Sequence, residues 1–293
     1  MHKAGFVNIV GNPNVGKSTL MNQLVGEKLS IATFKAQTTR HRIMGIVNTE
    51  DTQIVFSDTP GVLKPNYKMQ EMMLQFSESA LADADILLYV TDVVEDPEKN
   101  MDFLEKVSKM SIPVILLINK IDESDQKTLG KLVTKWHGLL PNAEILPISA
   151  KNKFGVDILL KRIHELLPES PAFFDKDQLT DKPAKFFVSE IIREKILRYY
   201  DKEIPYSVEV VVERFKEDDR QIHINAVIYV ERSSQKGIII GHQGMALKKV
   251  STEARKSLER FFDKKIFLET FVKVDKDWRN SQKELKHFGY SLE

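Results

Sequence analysis

Eight consecutive residues near the start of the chain, Gly11-Asn12-Pro13-Asn14-Val15-Gly16-Lys17-Ser18, place glycines, a lysine and a serine in the spacing of a phosphate-binding loop. They follow an apolar run at 5–10 and open a helical pattern at 18–24. In that setting successive backbone N–H groups form a nest at a helix N-terminus, and both features favour phosphate oxygens. Lys17 adds a point charge, and Ser18, followed by Thr19, an oxygen for Mg2+. Two further motifs each follow a strand-like run. Asp58-Thr59-Pro60-Gly61 comes after 53–57, so the Asp58 carboxylate can hold Mg2+ through its water shell while Gly61 lets backbone approach a γ-phosphate. Asn119-Lys120-Ile121-Asp122 comes after 113–118, and Asp122 can accept hydrogen bonds from the N1–H and 2-amino group of guanine. Adenine offers no such pair, and each buried polar group left unpaired by the wrong base costs about 1–3 kcal/mol. A third, Ser149-Ala150-Lys151, ends the run at 145–149 and is weak by itself.

Those motifs need elements to bring them together. Short β-branched runs at 5–10, 45–47, 53–57, 86–91, 113–118 and 145–149 alternate with helical patterns at 18–24, 68–82, 101–109, 126–136 and 156–167. That rhythm predicts an α/β domain whose mostly parallel, doubly wound sheet is covered by helices on both faces, with the motifs at the strands' C-terminal edges. Pro168 and Pro171 close the last helix, and the polar segment to Pro183 is expected to be a linker. The domains are accordingly expected at 1–170 and 185–276, with a linker at 171–184 and a tail at 277–293.

The second domain reads as α+β: a helix over 187–200, strands at 206–215 and 221–230, a break at 241–244, a helix over 246–262 and a strand over 265–274. The break is Gly237-Ile238-Ile239-Ile240-Gly241-His242-Gln243-Gly244, followed by Lys248, Lys249, Arg255 and Lys256. Net charge is only +1, split as 20 basic against 23 acidic residues over 1–180 and 23 against 19 over 181–293. Residues 232–265 hold nine basic and three acidic side chains, a balance that suits a polyanion but also fits a solvated helix face. The chain has no cysteine, which excludes disulfides and thiolate chemistry and fits a reducing compartment. Its apolar runs fall short of the roughly 20 residues of a membrane helix, and nothing at the N-terminus reads as an export signal.

The four N-terminal motifs resemble those of the translation-factor-related P-loop GTPases. The resemblance implies that the Ser149-Ala150-Lys151 loop gives a backbone N–H to the guanine oxygen, and that a switch-I threonine completes the Mg2+ shell. Of Gln37-Thr38-Thr39-Arg40, Thr39 is preferred over Thr38, so Ser18, Thr39 and Asp58 are the expected metal set and Lys17, Thr39, Gly61 and Asn14 the catalytic one. Ras-like enzymes carry a water-orienting Gln after the Asp-x-x-Gly motif, whereas this chain has Val62, which is expected beside the nucleotide but cannot hydrogen-bond water, so intrinsic hydrolysis is expected to be slow. Relatives with an apolar residue there often recruit K+, held partly by an Asn at the position of Asn14.

The C-terminal order of elements around Gly-x-x-Gly resembles a KH domain of the second topological type, with Gly237, Ile239, Ile240, Gly241, His242, Gln243, Gly244, Lys248 and Lys249 as expected RNA contacts. KH loops often carry Lys or Arg where this chain has His242-Gln243. A GTPase domain followed by such a domain, with Lys35-Ala36-Gln37-Thr38-Thr39-Arg40-His41-Arg42 as switch I, is similar to the Era-like subfamily over nearly the whole chain. That similarity implies binding of GTP and GDP, binding of the 3′ region of 16S ribosomal RNA, a part in maturing the small ribosomal subunit and a cytoplasmic location. It leaves room for peripheral association with the membrane; a monomer is the default. Trp278, Arg279, Phe288 and Tyr290 of the tail suit base stacking and phosphate contact, or a helix capping the KH sheet. Two other functions stay open at this stage: a GTPase acting on a protein or membrane partner through a docking domain, and an RNA-binding protein with a vestigial nucleotide site.

Overall fold

The computed structural model describes residues 2–291, which fall into two compact units, one holding nearly all of residues 2–181 and the other residues 182–291. In the first, six strands form one sheet: β1 (Lys3–Gly11), β2 (Ile43–Asn48), β3 (Thr52–Asp58), β4 (Ile86–Asp92), β5 (Val114–Asn119) and β6 (Glu144–Pro147), in the order β2-β3-β1-β4-β5-β6. Only the β2–β3 pair is antiparallel. The central parallel strands carry continuous apolar runs rather than alternating, and all seven residues of β4 are buried, as a sheet covered on both faces requires. Helices α1 (Lys17–Val25), α2 (Lys68–Ala82), α3 (Met101–Ser108) and α4 (Gln126–Leu139) lie between them, and α5 (Val156–Leu166) follows β6. Asp125 starts α4 by accepting from the N–H groups of Lys127 and Thr128, both at 2.9 Å. Because β1 sits where the strand order reverses, the loops leaving β1, β3, β5 and β6 open onto one crevice.

The expected linker behaves differently from its composition. Residues up to Asp181 are laid along the edge of the first sheet: the Ile46 N–H bonds the Leu179 carbonyl at 2.8 Å, and the Met44 N–H bonds Asp181 at 2.8 Å. The buried Gln53 amide is the reason, since its oxygen accepts from the N–H groups of Phe173 (2.7 Å) and Phe174 (3.0 Å) and its nitrogen donates to the Phe174 carbonyl. An amide buried there needs those partners, and the chain supplies them.

The second unit runs α6 (Ala184–Tyr199), β7 (Val208–Glu217), β8 (Gln221–Val230), α7 (Ser233–Ile240), α8 (Met245–Phe262), β9 (Lys265–Val274) and α9 (Gln282–His287). β7 and β8 are antiparallel, and β9 joins β8 in parallel. Val250, Ala254 and Leu258, spaced by four, turn one stripe of α8 into the core, each larger side chain contributing about 1.5–3 kcal/mol by burial. Lys248 and Lys249 lie outside that stripe and stay exposed.

The tail belongs to this unit, which corrects the base-stacking reading. Trp278 is fully buried and donates from Nε1 to the Ser207 carbonyl at 3.3 Å. Phe288 packs edge-on against Trp278, and the buried Tyr290 hydroxyl donates to Glu209 at 2.6 Å. Aromatics that close a core have no free face for bases.

Candidate nucleotide site and nucleic-acid interface

The phosphate loop owes its path to Gly16, whose φ of 97° is left-handed and whose added Cβ would lie 2.3 Å from the Asn119 amide nitrogen. Asn119 therefore reaches the loop directly: its Nδ2 donates to the Val15 carbonyl at 2.8 Å while its Oδ1 accepts from the Ala150 N–H at 2.9 Å. One buried side chain thus pins the phosphate loop to the loop at 149–151. Lys120 reaches back over the same loop, donating to the Asn14 carbonyl at 2.7 Å and pairing with Asp92 at 2.5 Å. Asp122 accepts from the Ser149 hydroxyl at 2.5 Å, which orients its carboxylate beside the 149–151 loop. The Ile121 N–H bonds the Ile148 carbonyl, tying this loop to the residues that lead into 149–151. Lys151 is exposed at the rim.

Pro13, Asn14, Gly16, Lys17, Ser18, Thr19, Thr39, Thr59, Gly61 and Lys120 line one cavity of about 220 Å³, together with switch-I residues from Ile31 to Thr38. Lys17 is buried and donates to the carbonyls of Gly11 (3.0 Å) and Asn12 (2.7 Å). Burial pulls its pKa down to about 8, with Asp58 and Glu95 partly offsetting. Asp58 is fully buried, and desolvation raises its pKa against the pull of Lys17. Thr39 brings its hydroxyl to 2.8 Å from that of Ser18 and 3.3 Å from Asp58 Oδ2. Thr38 also lines the cavity, but its hydroxyl donates to the Lys35 carbonyl at 2.5 Å rather than meeting Ser18.

The second Asp58 oxygen, Oδ1, is buried without a hydrogen-bond partner beside those hydroxyls. An oxygen-only set with a single carboxylate suits a hard divalent cation that keeps waters and phosphate among its ligands. Among the described residues no cluster of three or more His, Cys, Asp or Glu offers another metal site.

Val62 does not face the cavity. Its side chain joins the core cluster with Val10 and Phe103, its N–H bonds the Gly11 carbonyl at 3.0 Å, and the contact expected between it and nucleotide is withdrawn. Gly61 is held close to Pro13, three of whose atoms would lie 2.7 Å from an added Cβ. Thr59 and Pro60 are anchored through Ile9 and Ser77, respectively.

In the second unit α7 ends at Gly241 (φ 70°), whose added Cβ would lie 2.6 Å from the Ala246 Cβ. Gln243 and Gly244 are also left-handed, so the Gly-x-x-Gly turn presents His242 and Gln243 to solvent at the start of α8. Gly237 and Lys248 are exposed on either side, and Lys249 lies over the Tyr199 ring at 4.4 Å. Ile239 is corrected: it is fully buried in the core, its carbonyl held by the Tyr200 hydroxyl at 2.7 Å, and Ile240 is partly packed there as well. The apolar groups exposed beside the turn are Ile238 and Met245. A helix through the isoleucine run would have separated 238 from 239, but three identical residues hide the period.

Phosphate loop, guanine-reading loops and a Gly-x-x-Gly turn between two helices define a P-loop GTPase joined to a KH domain. Residues 6–120 match the family described as a 50S ribosome-binding GTPase, and residues 203–279 the KH domain. The chain is 44% identical over 292 residues to the GTPase Era of Clostridium kluyveri, covering 99% of this chain and 100% of the relative. It is 46% identical over 290 residues to that of Geobacter sp. (strain M21), covering 98% of each. An Era crystal structure in complex with MgGDPNP and nucleotides 1506–1542 of 16S ribosomal RNA superposes with a TM-score of 0.95 at 37% identity, over 100% of both chains. An Aquifex aeolicus Era variant bound to GDP and AlF4- gives 0.94 at 38%, over 99% of this chain and 100% of the other. The chain belongs to the GTPase Era family.

Proposed function

We propose that the protein is a GTP-dependent switch that binds the 3′ region of 16S ribosomal RNA during maturation of the small ribosomal subunit, in the cytoplasm. The observation that carries the switch is the meeting of Thr39, from switch I, with Ser18 and Asp58. A loop tied to the cation site through one hydroxyl is ordered by the γ-phosphate and released on its loss.

Ser18, Thr39 and Asp58 would hold Mg2+, which supplies charge neutralisation at the β- and γ-phosphates. Lys17 balances the same phosphates, the Gly61 backbone borders the γ-phosphate, and Asp122, oriented by Ser149, reads guanine. Water attacks the γ-phosphorus, the bond to the β–γ bridging oxygen breaks, and GDP leaves with phosphate. Asn14, left-handed at φ 67° on the cavity wall, would contribute to a K+ site beside the phosphates. In the KH unit the Gly-x-x-Gly backbone grips phosphates, Lys248 and Lys249 add charge, and Ile238 and Met245 support bases.

The test is binding of a short single-stranded RNA copied from the 16S 3′ end, with GDP and with a non-hydrolysable GTP analogue, across a salt series. Tighter binding with the analogue, abolished in a Gly241→Asp, Gly244→Asp variant, supports the reading. Equal and feeble binding in both states overturns it and moves the partner to a protein or a membrane surface.

A further inference from the structure

Asn100 is the residue ahead of α3, where an asparagine ordinarily turns its side-chain oxygen onto the helix's own N–H groups, worth about 1 kcal/mol. Here the side chain makes no such cap. Its Nδ2 instead crosses the domain, donating to the Asn12 side-chain oxygen and, at 3.1 Å, to the Val62 carbonyl. Both partners are buried, and neither moves freely. Asn12 lies beside the Glu95 carboxyl, which takes the Thr91 hydroxyl at 2.7 Å. Val62 is fixed by its N–H on the Gly11 carbonyl and by its core side chain. Gly61 therefore enters the cavity between two anchored neighbours, Pro60 and Val62, and Asn100 ties that segment sideways to the phosphate loop.

We propose that Asn100 is a positioning residue for GTP hydrolysis: it holds the Val62 carbonyl, one peptide beyond Gly61, beside Asn12, and with the Val62 N–H fixed on Gly11 this keeps the Gly61 backbone in place beside the γ-phosphate. The proposal rests on the GTPase activity of the family and on the diversion of a helix-capping side chain to two loops that border the phosphates. GDP has no γ-phosphate, so its binding is spared.

Asn100→Ala and Asn100→Asp separate positioning from simple stabilisation. Aspartate keeps the shape but has no N–H to donate, and turned back it caps α3, so it restores stability without restoring the bridge. Single-turnover GTP hydrolysis with Mg2+, GDP affinity and thermal midpoint would be measured for each. In both variants kcat is expected to fall roughly 10- to 100-fold with KM and GDP affinity within about twofold of wild type. In Asn100→Asp the thermal midpoint is expected to stay at or above that of Asn100→Ala. Wild-type kcat in either variant, or a loss of kcat that follows GDP affinity or thermal midpoint from variant to variant, overturns the proposal. GDP binding by the wild-type chain, with ADP rejected, shows separately that the nucleotide site itself is assigned correctly.

Discussion

The depressed Lys17 ammonium makes guanine-nucleotide affinity pH-dependent in a defined window. Without nucleotide the side chain is fully buried and its pKa falls from 10.5 to about 8, burial outweighing the attraction of Asp58 and Glu95. Phosphate oxygens favour the charged form, so binding GDP restores the proton wherever the free protein has lost it. The sign follows: affinity is full below about pH 8 and declines as pH rises through it. For a free-protein pKa of about 8, the charged fraction falls from roughly nine-tenths at about pH 7 to one-quarter at about pH 8.5. GDP binding should weaken about fourfold across that span, with uptake of about half a proton at pH 8. Calorimetry in EDTA, in buffers of different ionisation enthalpy, reads both quantities without a metal shifting Lys17. The range stops short of the pH at which guanine N1–H ionises. Lys17→Arg, which stays charged throughout, should bind more weakly but with a flat profile. A wild-type profile that is flat from pH 7 to 8.5, with no proton uptake, would refute the reasoning. Linkage also makes the nucleotide-free protein gain stability from this group between about pH 8 and 10.5, where the unfolded lysine holds the proton that the folded one has released.

The isoleucine pair beside the Gly-x-x-Gly turn should divide stability from recognition. Ile239→Ala is expected to cost about 2–5 kcal/mol in chemical denaturation, while Ile238→Ser leaves the midpoint within about 0.5 kcal/mol and weakens RNA binding several-fold. The reverse pattern would place the RNA face elsewhere. Asn14→Ala is expected to remove any advantage of potassium over sodium buffer in GTP turnover; the same rates as wild type in both salts would dismiss a K+ site at this residue.

What the sequence discloses here is what sits close together along the chain. The phosphate loop, Asp58, Asn119–Asp122 and Ser149–Lys151 are short strings whose residue types carry their chemistry with them, and alternating strands and helices suffice to bring them to one edge. Contacts between distant residues are not legible in that way. The docking of residues 171–181 depends on Gln53, more than a hundred positions earlier, and polar composition with prolines describes a free loop equally well. The tail's tryptophan and tyrosine fit either a stacking surface or a core; only the carbonyl of Ser207 and the carboxylate of Glu209 decide it. Asn100, 88 positions from Asn12, carries no local signal at all.

Val62 shows how such contacts bear on chemistry. Read as a letter, it lacks a group to orient water; the structure adds that the position faces inward. Both peptide groups are committed, N–H to Gly11 and C=O to Asn100, and the side chain fills a space among Val10, Phe103 and Leu104. A polar side chain here would be buried without partners, at about 1–3 kcal/mol, instead of reaching the γ-phosphate. The slow intrinsic hydrolysis expected from Val62 would therefore follow from how the loop is anchored and not only from one missing amide. The orientation of water would then fall to backbone groups at Gly61 and to the wall formed by Asn14 and switch I. The proposed Asn100 bridge to Asn12 and Val62 would then add a control of turnover from a side chain that does not line the cavity.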